Sequence, residues 1–151
     1  MLIIGVKEVT IVRPTVPVSE DAAWEDLQFL EDQINEYNFA TTGIGDARGL
    51  AILLREPDGR ICAGLSGHTW GGVADVRFLW VAESRRHSGV GSRLLRAAED
   101  EARARGCIKI VLSTHSVQAP GFYLKHGFVV TGTFSDYPRG YSSMFLEKTL
   151  H

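Results

Sequence analysis

The sequence predicts an α/β domain built on a mixed, mostly antiparallel sheet flanked by helices, and three observations predict it. Three strand-like apolar segments follow one another between residues 50 and 81, joined by turns too short for anything but antiparallel neighbours. A charged stretch with apolar residues at helical spacing then separates two strand-like runs, which makes a crossover unit and therefore one parallel pair. After a second, shorter helix, two more strand-like runs follow. With 151 residues, 44% hydrophobic and 23% charged, the chain can bury the core of a single domain spanning 1–151.

The elements are read in order. Residues 9–14 (VTIVRP) alternate like a short strand and stop at Pro14. Ser19 stands as an N-cap with Glu20 and Asp21 in the first turn, and Trp24, Leu27, Leu30 and Ile34 recur at helical spacing up to Tyr37. One or two amphipathic helices are expected there, followed by a loop over residues 38–49. Residues 50–56 (LAILLRE) and 61–70 (ICAGLSGHTW) are strands about a Pro-Asp-Gly-Arg turn, and Gly71 and Gly72 lead into a third strand, 74–81 (ADVRFLWV). Residues 89–105 form a helix with Val90, Leu94, Ala98 and Ala102 on one face, its Arg, Asp and Glu on the other, and Gly106 as its stop. A strand at 108–114 (IKIVLST), a short helix at 119–126 (APGFYLKH) closed by Gly127, and strands at 128–134 and 141–148 complete the order.

Charge and cysteine content narrow the partners and the compartment. A net charge of −2 with a pI near 6.2 gives no general attraction for a polyanion, so nucleic acid is not expected and any phosphate site must be local. No apolar run approaches a membrane span, and MLIIGV is too short for a signal segment, so no membrane partner is expected. Cys62 and Cys107 fall in or beside strands and read as free thiols of a cytoplasmic protein. The scattered histidines give no metal-ligand spacing, so no metal is expected. Residues 1–60 hold eleven Asp/Glu against five Lys/Arg, a net of −6, whereas residues 61–151 hold seven against eleven, a net of +4.

Gly89 and Gly91 stand where a strand gives way to a helix. A helix N-terminus exposes unpaired N–H groups and a partial positive charge, and glycine lets an anion approach the main chain, so the segment can hold a phosphate. The segment lacks the Gly-Lys-Ser/Thr of a triphosphatase loop and the third glycine of a dinucleotide loop. By geometry alone, a tight turn without a ligand is an equal reading.

The wider pattern adds to this. Arg86-x-x-Gly89-x-Gly91, followed some thirty residues later by APGFYLKHGF, resembles the pyrophosphate loop and the Ala-x-x-Phe-Tyr-x-x-x-Gly-Phe segment of the GNAT superfamily of acyl-CoA-dependent N-acetyltransferases. The element order is similar to that family's over most of the chain, and FSDYPRGYSSMFLEK resembles its bacterial members with an Asp-Tyr-Pro turn. The resemblance implies splayed strands forming a cleft for acetyl-CoA, the co-substrate. Main-chain groups of Leu79, Trp80 and Val81 would hold the pantetheine arm, and Arg86, His87, Ser88, Gly89, Val90, Gly91 and Ser92 the pyrophosphate. His87 and Ser88 replace a Gly and a Gln common in the family, and Ser116 stands where an Asn is common, with less reach to the cofactor. Arg93 is either a further phosphate contact or a solvated helix residue.

By the same resemblance, Tyr123 is the group that protonates the departing thiolate, and it also contacts the cofactor; packing of the last helix is its alternative role. A phenol suits that task because it is protonated at neutral pH and can donate as charge develops on sulfur. The base that takes the amine's proton is open among Asp75, Glu83, His115 and a water chain. In this family the helices after the first strand roof the acceptor site, which makes Tyr37, Asn38, Thr41 and Thr42 candidate lining residues. The acidic excess of the first sixty residues then suggests a small cationic amine, acetylated directly in a ternary complex. Acetylation of a protein's lysine or N-terminal amine, and a CoA-binding module without activity, are the alternatives; a homodimer is left open.

Overall fold

A computed structural model describes residues 16–151, and the strand expected at residues 9–14 lies outside them. The chain divides into two units, Met1–Thr41 and Thr42–His151. The described part of the first unit is dominated by one helix, α1 (Trp24–Thr42), with Glu25 and Asp26 in its first turn, where acidic groups complement the helix dipole. The sequence reading is corrected at both ends. Ser19 does not cap this helix: its Oγ accepts the Asp21 N–H at 3.3 Å in a turn that precedes it. The helix is single and continues through residues 38–42, which were expected to be loop.

The second unit is a six-stranded sheet with two helices. The strands are β1 (Arg48–Arg55), β2 (Ile61–Trp70), β3 (Val73–Val81), β4 (Lys109–His115), β5 (Val129–Ser135) and β6 (Ser142–Thr149), in the spatial order β1-β2-β3-β4-β6-β5. Among the described strands only β3 and β4 run parallel, joined through α2 (Val90–Ala104), while α3 (Pro120–Lys125) links β4 to β5. Each strand lies within about two residues of its sequence assignment, because period-two alternation and turn chemistry fix both locally. At the β1–β2 turn, for example, the Glu56 N–H bonds the Arg60 carbonyl at 2.9 Å and the Gly59 N–H the Glu56 carbonyl at 2.9 Å.

One face of the sheet and α2 make the core. Leu50, Ala63, Leu65, Ala74 and Val76 from β1–β3, with Ile110, Leu112 and Leu146, pack with Leu94, Leu95, Ala98 and Ala102 of the helix. Each fully buried leucine contributes roughly 2 kcal/mol of transfer free energy, and the two alanines let the helix axis come close to the strands. One charge joins this face, against the expectation that every Glu of α2 is solvated. Glu99 is only 5% exposed and accepts two bonds from Lys148 Nζ on β6, at 2.7 and 2.8 Å. Its pairing is what makes burial of the carboxylate tolerable.

The sheet is forked at its one parallel pair. The β3–β4 ladder runs only from Val73–Lys109 to Val76–Leu112, although β3 continues to Val81 along β2 and β4 continues to His115 along β6. The divergence begins at a bulge: Gly67 opposes Val76 and Ser66 opposes Phe78, leaving Arg77 as an extra residue that bends β3. Gly67 is required there, since a Cβ would lie 1.9 Å from the Asp75 carbonyl oxygen. Among the described residues no helix is long and apolar enough to cross a membrane.

Candidate active site

Beyond the fork, the strands bound a cleft of about 1200 Å³. Leu79, Trp80 and Val81 line one wall, residues 112–115 at the end of β4 the other, and the start of α2 and one side of α3 close its ends. The Ala82 N–H bonds the Cys62 carbonyl on β2 at 2.8 Å. Backbone polar groups alternate sides along a strand, so Leu79 and Val81 turn theirs into the gap. The Val81 carbonyl accepts Arg86 Nε–H at 3.2 Å, which ties that guanidinium to the strand end.

The end of the cleft at α2 is built by the loop before that helix. A 3-10 turn (Glu83–Arg85) follows β3, and Arg85 anchors it with two bonds to the Glu56 carboxylate, at 2.9 and 2.8 Å. His87 (φ 60°) and Gly89 (φ 78°) both take left-handed conformations, so the chain doubles back into the helix. For Gly89 this carries no steric penalty; for His87 it does. Gly89 is the N-cap, no side chain caps the helix, and its first turn holds no acidic residue. The first-turn N–H groups of Val90, Gly91 and Ser92 thus have no intrahelical acceptor, and these residues line the cleft with Arg85, Arg86, His87 and Lys125. Gly91 packs closely: a Cβ there would meet the Phe122 ring at 3.4 and 3.5 Å.

Tyr123 lines the cleft from α3, its ring edge-on to Phe122 at 5.1 Å and to Phe128 at 5.8 Å. Burial pushes its phenol above the usual tyrosine value, which keeps it a proton donor at neutral pH. Although adjacent in sequence, Phe122 and Tyr123 both pack against the core and both line the cleft. His115 also lines the cleft, at the end of β4. Its N–H donates to Gln118 Oε1 at 2.9 Å, its ring meets Tyr137 edge-on at 5.4 Å, and its buried Nδ1 has no hydrogen-bond partner among the described residues.

The other candidates fall elsewhere. Asp75 sits on the paired part of β3, opposite Val111, 3.6 Å from Arg77. Glu83 opens the 3-10 turn, and its carbonyl accepts the Arg86 N–H at 3.1 Å; neither carboxylate is part of the cleft lining. Ser88 bonds the Arg85 carbonyl through its hydroxyl. Ser116 Oγ accepts the Ser142 N–H at 3.0 Å, outside the lining. Arg93 borders a small neighbouring hollow with Glu56 and Cys62. Tyr37, Asn38 and Thr41 lie on the last turns of α1, and Thr42 Oγ1, at its end, accepts the Ile44 N–H at 3.1 Å. Sequence reasoning missed Arg85, Gln118 and His126; their partners are distant or side-chain specific, and only the run of basic residues at Arg85 and Arg86 hinted at the first.

The fold and the forked cleft are those of an acyltransferase. The chain belongs to the acetyltransferase (GNAT) family, whose model matches residues 13–128. It is 36% identical over 131 residues to an acetyltransferase of Agrobacterium fabrum, spanning 87% of this chain and 96% of that one. A blasticidin-S acetyltransferase of Streptomyces morookaense is 41% identical over 93 residues, 61% of this chain and 68% of that protein. Among solved structures, an acetyltransferase from Bacillus cereus superposes with a TM-score of 0.74 at 33% identity, covering 89% of this chain and 98% of its own. The protein is therefore an acetyltransferase.

Proposed function

We propose that the protein is an acetyl-CoA-dependent N-acetyltransferase that acts on a primary amine of a small cationic molecule, by direct transfer in a ternary complex. One observation carries the reading: the cleft at the forked β3–β4 pair runs from an uncapped helix N-terminus to a half-buried phenol. Acetyl-CoA supplies an activated thioester. Its polar groups fit the residues present: the Leu79 peptide groups and the Val81 N–H on the unpaired edge of β3 for amides, and the first turn of α2 with Arg86, His87 and Lys125 for phosphates.

In this reading Tyr123 donates its proton to the departing sulfur, and its raised pKa holds that proton ready. His115 is the favoured base among the candidates, since it lines the cleft whereas Asp75 and Glu83 do not. The acidic excess of residues 1–60 and the absence of Lys or Arg from α1 support a cationic acceptor through long-range attraction. A relative named for blasticidin S, not for a protein, supports a small-molecule acceptor. With these features no nucleic-acid or membrane partner is proposed, and the compartment is the cytoplasm. The test is thiol release from acetyl-CoA over a panel of cationic, neutral and anionic amines. Cationic amines should lead, with a KM that rises with salt; a panel led by apolar or acidic acceptors refutes the acceptor class, and activity on lysine peptides alone refutes the small-molecule reading.

A further inference from the structure

Ser92 is the third residue of α2 and lines the cleft, and its Oγ lies 2.9 Å from His126 Nε2. On the other side of that ring, Nδ1 lies 2.7 Å from the Phe122 carbonyl oxygen. A carbonyl oxygen only accepts, so Nδ1 carries the proton and Nε2 of the neutral ring is a lone pair. Whenever the ring is neutral, the Ser92 hydroxyl therefore spends its one proton on Nε2 and turns only lone pairs to the cleft. At a helix N-terminus that otherwise offers donors, this arrangement opposes an anion. The ring is held in place by both bonds and by the Phe122 ring, 4.4 Å away between centroids.

We propose that His126 is a positioning residue that reverses this hydrogen bond when a phosphate group reaches the first turn of α2. The imidazole takes one proton from hydronium or buffer acid onto Nε2, and that N–H donates to Ser92 Oγ. The hydroxyl keeps its own proton and swings it to a phosphate oxygen. Nδ1–H stays on the Phe122 carbonyl throughout, so both N–H groups of the imidazolium are satisfied. The charged groups around the ring are Lys125 beside it on α3, Arg96 one turn beyond Ser92 on α2, and the Glu99–Lys148 pair, whose lysine stem runs beside Gly127. The inference rests on the acetyl-CoA reading and couples its anion end to the helix that carries Tyr123.

Calorimetry of CoA binding from pH 6.5 to 8.5, in two buffers of different ionisation enthalpy, tests it. The wild type should take up about half a proton more per CoA than His126→Gln when averaged over that range, and its Kd should weaken roughly 10-fold more. His126→Gln offers Ser92 a permanent donor, so it should bind CoA with a flatter pH profile. Ser92→Ala should bind about 10-fold more weakly at pH 6.5 and lose the excess uptake. Ionisation of CoA itself is common to all three and cancels in the comparison. Equal proton uptake and pH slope in wild type and folded His126→Gln overturn the inference alone, and this variant decides the matter should Ser92→Ala fail to fold. A wild type that does not bind CoA overturns the acetyl-CoA reading and this inference with it.

Discussion

Replacing Gly91 should separate stability from cofactor affinity. The residue is the second of α2, with a Cβ position 3.4 and 3.5 Å from two Phe122 ring carbons and 3.8 Å from a Val81 methyl. An alanine methyl therefore fits at ordinary contact, and glycine's replacement in a helix gains up to about 0.5–1 kcal/mol. Gly91→Ala should keep or raise the Tm, by roughly 1–3 °C at this size. The same methyl projects into the cleft lining beside the first-turn N–H groups. Loss of one bond from such a group to a phosphate costs roughly 1.5–3 kcal/mol, about 10- to 100-fold in Kd. Valine carries the series further: its γ carbons reach about 1.5 Å past Cβ into the Phe122 ring or Val81, and overpacking of this kind costs about 1–3 kcal/mol. Across Gly, Ala and Val, acetyl-CoA affinity should fall steadily while Tm first holds or rises and then drops. Thermal melts and calorimetry read both. Folded Gly91→Ala with an unchanged or raised Tm and wild-type Kd refutes the assignment of this turn to the phosphates.

Three more outcomes are expected. Tyr123→Phe keeps the ring contacts with Phe122 and Phe128 and should lower kcat by roughly 100-fold with little change in acetyl-CoA Kd; wild-type kcat on every accepted amine would sink the general-acid role. Glu99→Ala strips Lys148 of its partner and should destabilise by roughly 2–4 kcal/mol in urea titrations, whereas Glu99→Met with Lys148→Met should restore most of it. Burial raises both the Cys107 thiol and the Tyr123 phenol above their ordinary values of 9.0 and 10.0. The folded state thus holds these protons more tightly than the unfolded chain. Their stabilisation is complete below those values and is lost as pH rises through the raised ones, so urea midpoints should fall from about pH 9 upward, less steeply in Tyr123→Phe.

What was legible in the sequence was local. Strands β1–β6 followed from alternation and from turn residues that act within four positions, and the left-handed turn into α2 followed from glycines at a strand-to-helix junction. The end of α1 was not legible, because Asn38, Thr41 and Thr42 have loop-like composition and only the folded chain shows that the helix includes them. Nor was the burial of Glu99, whose partner lies 49 residues away, or the Ser116 hydroxyl's bond to residue 142. The same holds for Ser92 and His126, 34 residues apart. Pairings across the sheet leave no period in the sequence. The bulge at Arg77 left one trace, Gly67 on the facing strand, whose meaning needs the register to be known.

Among the described strands, the fork gives this sheet four edges instead of two. Besides the outer margins on β1 and β5, the far half of β3 and the end of β4 present peptide groups inward without a neighbouring strand. Such margins recruit any extended chain that fits, which is how sheets add strands from other molecules and begin to aggregate. A bound amide-bearing arm in the fork occupies the same groups a stray peptide would use. If the fork holds the acetyl-CoA arm as proposed, saturation with that co-substrate would double as protection against self-association and tie the protein's solution behaviour to its supply.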